Sequence, residues 1–323
     1  MASARFLRVG TLLVGLWLPA AAWCGPSTRP AAIVEPAKFM QFVDEGASSA
    51  SLQTACVTYK NEAGISVRLV SAVHIGEKEY FQALNKSFEQ DDAVLYEMVK
   101  PKDAPAPEKG QQSNSAVSQF QRLLKDTLNL EFQLDVIDYT KANFVHADLD
   151  AETFTRMQQE RGETFEMLML KGLMKALSSP PAPEAAPGEA DAGGDAGKMA
   201  DELIAMLTRP DGERRLKLMV ARHMGEIDEK AMGLDGPNGS VIVTERNKAA
   251  IEVLKKTMAA GKKKISIFYG AAHMPDMARR LEEMGFKAVR TDWQMAWDLA
   301  IRGDQPSMAE KMLRDLFEEA GRD

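Results

Sequence analysis

Ile65-Ser66-Val67-Arg68-Leu69-Val70-Ser71-Ala72-Val73-His74 is the stretch that decides how this chain folds. Apolar residues, several of them β-branched, predominate in this run, which is long enough for one strand and ends at a histidine. A second stretch, Ile265-Ser266-Ile267-Phe268-Tyr269-Gly270-Ala271-Ala272-His273, has the same design, and helical spacing follows each of them. Strands that alternate with helices build a parallel sheet with helices on its faces. We therefore predict an α/β fold whose central sheet is mainly parallel.

Shorter elements around these two stretches complete the predicted sheet. Residues 52–60 form a strand, and the turn signal at 61–64 joins it to the strand at 65–73 as an N-terminal hairpin. A helix is predicted over 77–90, where the apolar residues fall at helical spacing. Further strands are predicted at 93–96, 241–244, 265–269 and 286–290, and further helices at 249–260 and 275–284.

A long segment with helical spacing separates the two halves of the predicted sheet. We interpret 51–115 as the first part of the α/β core, 116–235 as a large all-helical insertion, and 236–323 as the second part of the core with a C-terminal helix. Within the insertion, the Pro/Ala/Gly-rich stretch 178–197 is predicted to be disordered, because it cannot bury enough apolar surface. Residues 25–50 are predicted to be a flexible entry to the core.

The N-terminus has the pattern of a signal peptide over residues 1–24. Arg5 and Arg8 supply the positive region, Val9 to Leu18 are apolar, and small residues follow. We therefore expect the protein to be exported, to a periplasm or outside the cell. No later stretch is long and apolar enough to cross a membrane, so we expect no stable membrane span after cleavage.

Composition and charge narrow the classes of partner. The chain has 323 residues, of which 45% are hydrophobic and 27% charged, as in globular proteins. Its formal net charge is −7, and it contains no basic block, which argues against nucleic acid as a partner. The two cysteines are too few for a disulfide framework or for a zinc site built on several thiolates.

Four polar residues stand at or just past the ends of predicted strands: His74, Glu97, Arg246 and His273. If the strands run parallel, these side chains converge on the edge of the sheet where ligands bind. His74, Glu97 and His273 are then candidate ligands of a divalent metal ion with an open position for water. The guanidinium of Arg246 is suited to bind a substrate carboxylate or to stabilise an oxyanion. Without a metal, one histidine can act as general base while Glu97 orients it.

Each of these residues also has a purely structural interpretation. A histidine at a strand end is often only hydrogen-bonded, Glu97 can pair with Lys100, and Arg246 can pair with a nearby glutamate. A pair of acidic residues, Asp148 and Asp150, is interpreted as helix capping before Ala151 rather than as a calcium site.

The same four strand-end motifs resemble those of the TraB/PrgY/GumN superfamily, which includes the Tiki proteins. Gly270-Ala271-Ala272-His273 is similar to its Gly-x-x-His motif, and Ser71-Ala72-Val73-His74 looks like the first copy of that motif. Residues 93–97 look like its strand-then-glutamate element, and residues 243–247 look like its Arg-Asn element. The resemblance covers roughly residues 52–300. One position departs from the pattern, because Ser71 stands where the family has glycine.

This resemblance implies a fold distantly similar to erythromycin esterases and to ChaN-like haem-binding proteins. It implies a metal-dependent hydrolase that cleaves peptide bonds. The metal would be bound by His74, Glu97 and His273, and Arg246 would stabilise the negative charge that develops during the reaction. The substrate would be a peptide or a small molecule. Two alternatives stay open at this point: a non-catalytic protein that binds haem or a peptide, and a metal-free esterase.

Overall fold

The computed structural model of the chain describes residues 38–44, 46, 49–110, 125, 128–163, 212–226 and 239–300. The described residues form a mixed seven-stranded sheet and a small two-stranded sheet. The large sheet contains β1 (Met40–Asp44), β2 (Ala50–Lys60), β3 (Ser66–Ala72), β5 (Ala93–Tyr96), β7 (Phe144–His146), β8 (Lys264–Gly270) and β9 (Lys287–Asp298). The small one contains β4 (Ile75–Gly76) and β6 (Glu131–Phe132).

Strand β2 organises the antiparallel part of the large sheet. Along one edge it pairs with β9 from residue 51 to residue 60. Its other edge is shared, since β1 pairs with residues 50–54 and β3 with residues 56–60. The sheet then continues from β3 through β8 and β5 to β7, and all of these neighbours are parallel. The predicted fold class, a mainly parallel core with an N-terminal hairpin, is confirmed.

Helices cover both faces of this sheet. They are α1 (Lys78–Phe88), α2 (Gln133–Val136), α3 (Ala151–Arg161), α4 (Gly212–Glu226), α5 (Arg246–Ala259) and α6 (Met274–Glu283). Alternate residues of β2 belong to two different buried clusters, as expected for a strand with two buried faces. The cluster on one face includes Tyr80, Phe81, Leu84 and Phe88 of α1 and Ala221 of α4. The cluster on the other face includes Ala250, Ile251 and Leu254 of α5 and Met274, Met277 and Leu281 of α6.

Local sequence accounts for features of two core helices. Helix α1 buries the apolar residues whose spacing predicted it. Helix α6 has a proline in its first turn, and Gly285 follows its end with a φ of +85°, a left-handed conformation that favours glycine. Among the described residues, no helix has both the length and the apolar character needed to cross a membrane.

The interpretation of residues 25–50 as a flexible entry is wrong for the part that the structure describes. Residues 40–44 form β1, and Phe39 is buried. This strand is stabilised by pairing with β2 and by packing against α4. Both contacts are distant in sequence, so local patterns do not reveal them.

The predicted all-helical insertion over 116–235 is also interrupted. Its described part includes the helices α2, α3 and α4, but residues 131–132 and 144–146 are strands. Strand β7 belongs to the core sheet, where it runs parallel to β5. A strand of three residues is too short to show a period of two, and only its pairing with β5 defines it.

Residues 241–244 are not a strand. They belong to a π-helical turn, Val241–Glu245, that leads directly into α5. The β-branched run Val-Ile-Val-Thr favours a strand locally. Ser240 stabilises a helical turn instead, because its side-chain oxygen caps the turn by accepting from the Val243 N–H at 3.0 Å. The signal peptide at 1–24, the low-complexity stretch at 178–197 and the C-terminal helix predicted within 301–323 lie outside the described residues.

Ser71 has a structural role at the junction between two strands. Its hydroxyl donates to the Phe39 carbonyl at 3.0 Å, just before β1 begins, and the residue is 1% exposed. The Ser71 carbonyl accepts from the Tyr80 hydroxyl at 3.2 Å. Serine therefore ties β1, β3 and α1 together at the position where the resembled family has glycine.

Removing the Ser71 hydroxyl should destabilise the fold. Ser71→Ala loses one buried hydrogen bond, which contributes about 1 kcal/mol. Ser71→Gly should cost a further ~0.5–1 kcal/mol, because glycine gains more freedom in the unfolded chain. Urea denaturation of the three proteins measures the difference. Equal free energies of unfolding for Ser71→Ala and the unmodified protein would contradict the role of the hydroxyl.

Candidate functional site

The parallel strands place four polar residues in a row along one edge of the sheet. β3, β8, β5 and β7 are neighbours in that order, and their carboxyl ends lie at the same edge. His74, His273, Glu97 and Asp148 each follow one of these strands within three residues. Edges of this kind are where open α/β sheets bind ligands.

Glu97 is the centre of the cluster. Its Oε2 accepts from the Gly270 N–H at 2.6 Å, and its Oε1 lies 2.8 Å from Arg246 Nη2. The same Oε1 lies 3.4 Å from His273 Nε2. Burial raises the pKa of Glu97, but the interactions with His273 and Arg246 prevail and hold it well below its usual range. Glu97 is therefore ionised at neutral pH.

Arg246 holds Glu97 from one side and is itself held by Asp148. Arg246 Nε lies 2.9 Å from Asp148 Oδ1, and Arg246 Nη2 lies 2.6 Å from Asp148 Oδ2, a bidentate pair. The Asp148 side chain is fully buried, and it also accepts from the N–H groups of Met98 and Leu149. A buried guanidinium between two carboxylates is a rigid anchor rather than a mobile ligand-binding arm.

His273 is held from behind by Asn247. Its Nδ1 lies 2.7 Å from Asn247 Oδ1, and its backbone carbonyl accepts from Asn247 Nδ2 at 3.0 Å. Asn247 Nδ2 also donates to Asp276 Oδ2 at 2.9 Å. The Tyr269 ring and the imidazole pack edge to face. These contacts fix the plane of the ring and leave Nε2 facing Glu97.

His74 differs from the other three residues because it is exposed. The protein groups around its imidazole exclude part of the water and so lower its pKa, and the charges of Arg246 and His273 lower it further, against the opposing effect of Glu97. These interactions indicate that His74 lies in the neighbourhood of Glu97, Arg246 and His273. A lowered pKa keeps the imidazole neutral at pH 7.

The π-helical turn positions Arg246 and Asn247, the first two residues of α5, at the site. The Ser240 carbonyl accepts from the N–H groups of both Thr244 and Glu245, which closes a wider turn than an α-helix has. Gly239 precedes this turn with a φ of +65°, and a Cβ atom there would stand 2.2 Å from Thr244 Oγ1. Only glycine fits this position without a rearrangement.

The structure brings three of the four residues that the sequence singled out into direct contact. Glu97, Arg246 and His273 are in direct contact, and His74 interacts electrostatically with them. Sequence reasoning missed the contribution of Asp148, which had been interpreted as a cap. The true cap is Asp150, whose carboxylate accepts from the Thr153 N–H at 2.8 Å. It also gave no role to Asn247, although this residue belongs to the Arg-Asn element at 243–247.

The residues present fit a metal ion only in part. Ligands at 2.0–2.1 Å from a tetrahedral zinc ion stand roughly 3.3–3.4 Å apart, which matches the spacing of His273 Nε2 and Glu97 Oε1. However, the guanidinium of Arg246 already occupies Glu97 Oε1, and its positive charge opposes a cation there. Within the described ranges, no three His, Cys, Asp or Glu side chains are arranged to hold a metal. The metal ion predicted from the sequence stays a prediction.

The anchor formed by Asp148 should dominate the stability of this edge. Asp148→Asn leaves the buried guanidinium of Arg246 without its bidentate partner, so we expect a loss of about 3–5 kcal/mol in the free energy of unfolding. Lys255→Ala, which breaks an exposed pair with Glu252, is the matched control and should leave stability unchanged. Urea denaturation compares the two variants. A similar small effect for both would show that Asp148 is not an anchor.

The contribution of Asp276 should depend on pH in one direction. Burial raises the pKa of Asp276, but hydrogen bonds from Arg280, Asn247 and Arg279 lower it below its ordinary value. A lowered pKa in the folded state stabilises the protein above the ordinary pKa of about 3.9, and this effect is lost as pH falls through the folded value. The stability difference between the unmodified protein and Asp276→Asn should therefore be largest at pH 7 and shrink below about pH 4. Urea denaturation between pH 7 and pH 3 measures it, and a difference independent of pH would contradict the assignment.

Comparisons with known proteins find no relative of this chain. No family model matches it, and neither a search of curated proteins nor a search of solved structures finds a match. The resemblance to the TraB/PrgY/GumN superfamily consequently rests on the residues at the strand ends alone.

Proposed function

We propose that this protein is a hydrolase that cleaves a peptide bond or a similar carbonyl bond, and that His273 and Glu97 form its acid–base pair. The observation that carries the proposal is the 3.4 Å spacing between His273 Nε2 and Glu97 Oε1, with the carboxylate held by Arg246 and by the Gly270 N–H. A histidine nitrogen that faces a fixed, ionised carboxylate can take a proton from a water molecule held between them, and the carboxylate then stabilises the imidazolium.

Each step of the reaction can be assigned to a residue. His273 Nε2 takes a proton from water as the water oxygen attacks the carbonyl carbon, and Glu97 stabilises the imidazolium that forms. The C–N or C–O bond then breaks, and the leaving group takes the proton back from His273. The charge of the developing oxyanion is offset by a hydrogen bond from His74, whose neutral imidazole still carries one N–H.

Arg246 acts through Glu97 in this proposal. Its guanidinium is engaged by Asp148 and Glu97, so it keeps the carboxylate in place and ionised. This differs from the sequence-based expectation that Arg246 would bind the substrate or an intermediate directly.

A metal-dependent version of the reaction is the second candidate. It is favoured by the same 3.4 Å spacing, which a zinc ion can bridge. His74, Glu97 and His273 would then hold the ion, which would supply a more acidic water. The two candidates use the same residues, but only this one requires a metal.

Substitution of the three proposed residues tests the function. His74→Ala, His273→Gln and Glu97→Gln should each lower kcat/KM by about 10²- to 10⁴-fold on quenched fluorogenic peptides or on nitrophenyl esters. His223→Ala is the matched control, because His223 is an exposed histidine on α4, which packs against β1 and β2, and it should be fully active.

Five outcomes distinguish the candidate functions. Unchanged rates in all three variants, or no hydrolysis by the unmodified protein, would overturn the proposal. Loss of activity with a chelator, restored by a divalent ion, would select the metal-dependent candidate. Haem binding would appear as an absorption band that His74→Ala or His273→Gln abolishes, and capture of a peptide without cleavage would leave the peptide intact in mass spectrometry.

A further inference from the structure

Asn247 is a fully buried amide with three partners, and all three belong to one short segment of the chain. Its Oδ1 faces the Nδ1 of His273 at 2.7 Å. Its Nδ2 faces the backbone carbonyl of His273 at 3.0 Å and Asp276 Oδ2 at 2.9 Å. Asn247 is the second residue of α5, whereas His273 and Asp276 stand at the start of α6. The amide thus joins two helices at the point where both begin.

These partners determine which way the amide points. A carbonyl oxygen only accepts hydrogen bonds, and so does an ionised carboxylate. Asp276 is kept ionised by Arg280, whose Nε lies 2.7 Å from Oδ2, and by Arg279, whose Nη2 lies 2.5 Å from Oδ1. Both partners on the Nδ2 side therefore require a donor, so the NH₂ group must face them. The amide oxygen is left for the imidazole.

The orientation of the amide in turn determines the tautomer of His273. An amide oxygen only accepts, so Nδ1 must carry the proton. In a neutral imidazole the lone pair then lies on Nε2, the atom that faces Glu97 Oε1. We propose that Asn247 is a positioning residue that holds neutral His273 in the Nδ1–H tautomer and thereby makes Nε2 the proton-accepting atom.

The catalytic meaning of this assignment rests on the proposed function. With the opposite tautomer, Nε2–H would donate to Glu97, and His273 would have no lone pair left for water. In the neutral Nδ1–H form, the two acceptors 3.4 Å apart are suited to a donor that lies between them, such as the attacking water. Once Nε2 has taken the proton, the imidazolium donates to Glu97, and it is this charged form of His273 that lowers the pKa of Glu97. Arg280, Asp276 and Asn247 thus form a chain of contacts that prepares His273 without touching the substrate.

The experiment is ¹⁵N NMR of the full-length protein with labelled histidine, at a pH where His273 is neutral. His273→Gln identifies the His273 signals by their disappearance. We expect a protonated Nδ1 and an unprotonated Nε2 in the unmodified protein. Asn247→Leu keeps the size of the side chain but removes the acceptor, so the Nε2–H tautomer should appear, and kcat/KM should fall about 10- to 100-fold.

Asn247→Asp separates the positioning role from a merely structural one. It keeps an oxygen beside Nδ1, so the Nδ1–H tautomer should persist, although a second carboxylate beside Asp276 should lower stability. An Nε2–H tautomer in the unmodified protein, or an unchanged Nδ1–H tautomer in Asn247→Leu, would overturn the proposal. If circular dichroism shows that Asn247→Leu does not fold, the spectra of the unmodified protein and Asn247→Asp decide.

The failure of this proposal can be told from the failure of the proposed function. If NMR shows the expected tautomers but the unmodified protein hydrolyses nothing, the positioning role of Asn247 is supported and the proposed hydrolase function is rejected. If hydrolysis depends on His273 but NMR shows the Nε2–H tautomer, the proposed hydrolase function is supported and the positioning role of Asn247 is rejected.

Discussion

The contact between the Glu97 carboxylate and the Arg246 guanidinium is the constraint on which the rest of this edge depends. A carboxylate with little access to water needs donors around it, and Glu97 receives them from Arg246 and from the Gly270 N–H. The guanidinium needs a second carboxylate, which Asp148 supplies. Because these groups come from β5, β7, β8 and α5, satisfying their charges also sets how those elements meet.

The cluster divides into a rigid part and an open part. The side chains of Arg246, Asp148 and Asn247 are buried and hydrogen-bonded to other protein groups, so their positions are set before any ligand arrives. His74 is exposed at the rim. Pre-organised polar groups with one side open to water are what catalysis of hydrolysis requires, because the groups need not rearrange as charge develops. A binding protein could use the same arrangement of rigid and open parts. A hydrolase and a binding protein are therefore distinguished by whether the bound molecule is cleaved.

Sequence patterns predict the long elements well and the short ones poorly. The runs before His74 and His273 are seven-residue strands with buried apolar residues, and their identity follows from composition alone. Glu97 follows a short strand that has the same apolar character. Asp148 follows β7, which has three residues and no pattern of its own, so its place at the same edge depends on pairing with β5. Arg246 was expected after a strand because Val-Ile-Val-Thr favours one, but burial of Val241 and Val243 and the cap from Ser240 determine a helical turn instead.

The π-helical turn before α5 has an evolutionary consequence. A turn of this kind holds one residue more than an α-helical turn, so it is equivalent to a single-residue insertion. Loss of one residue from 241–245 would restore ordinary helix and rotate the start of α5 by about 100°. Arg246 and Asn247 would both leave the sheet edge, although the sheet and its buried clusters would remain. Deletion of a single codon in this segment would therefore keep the fold and remove the site.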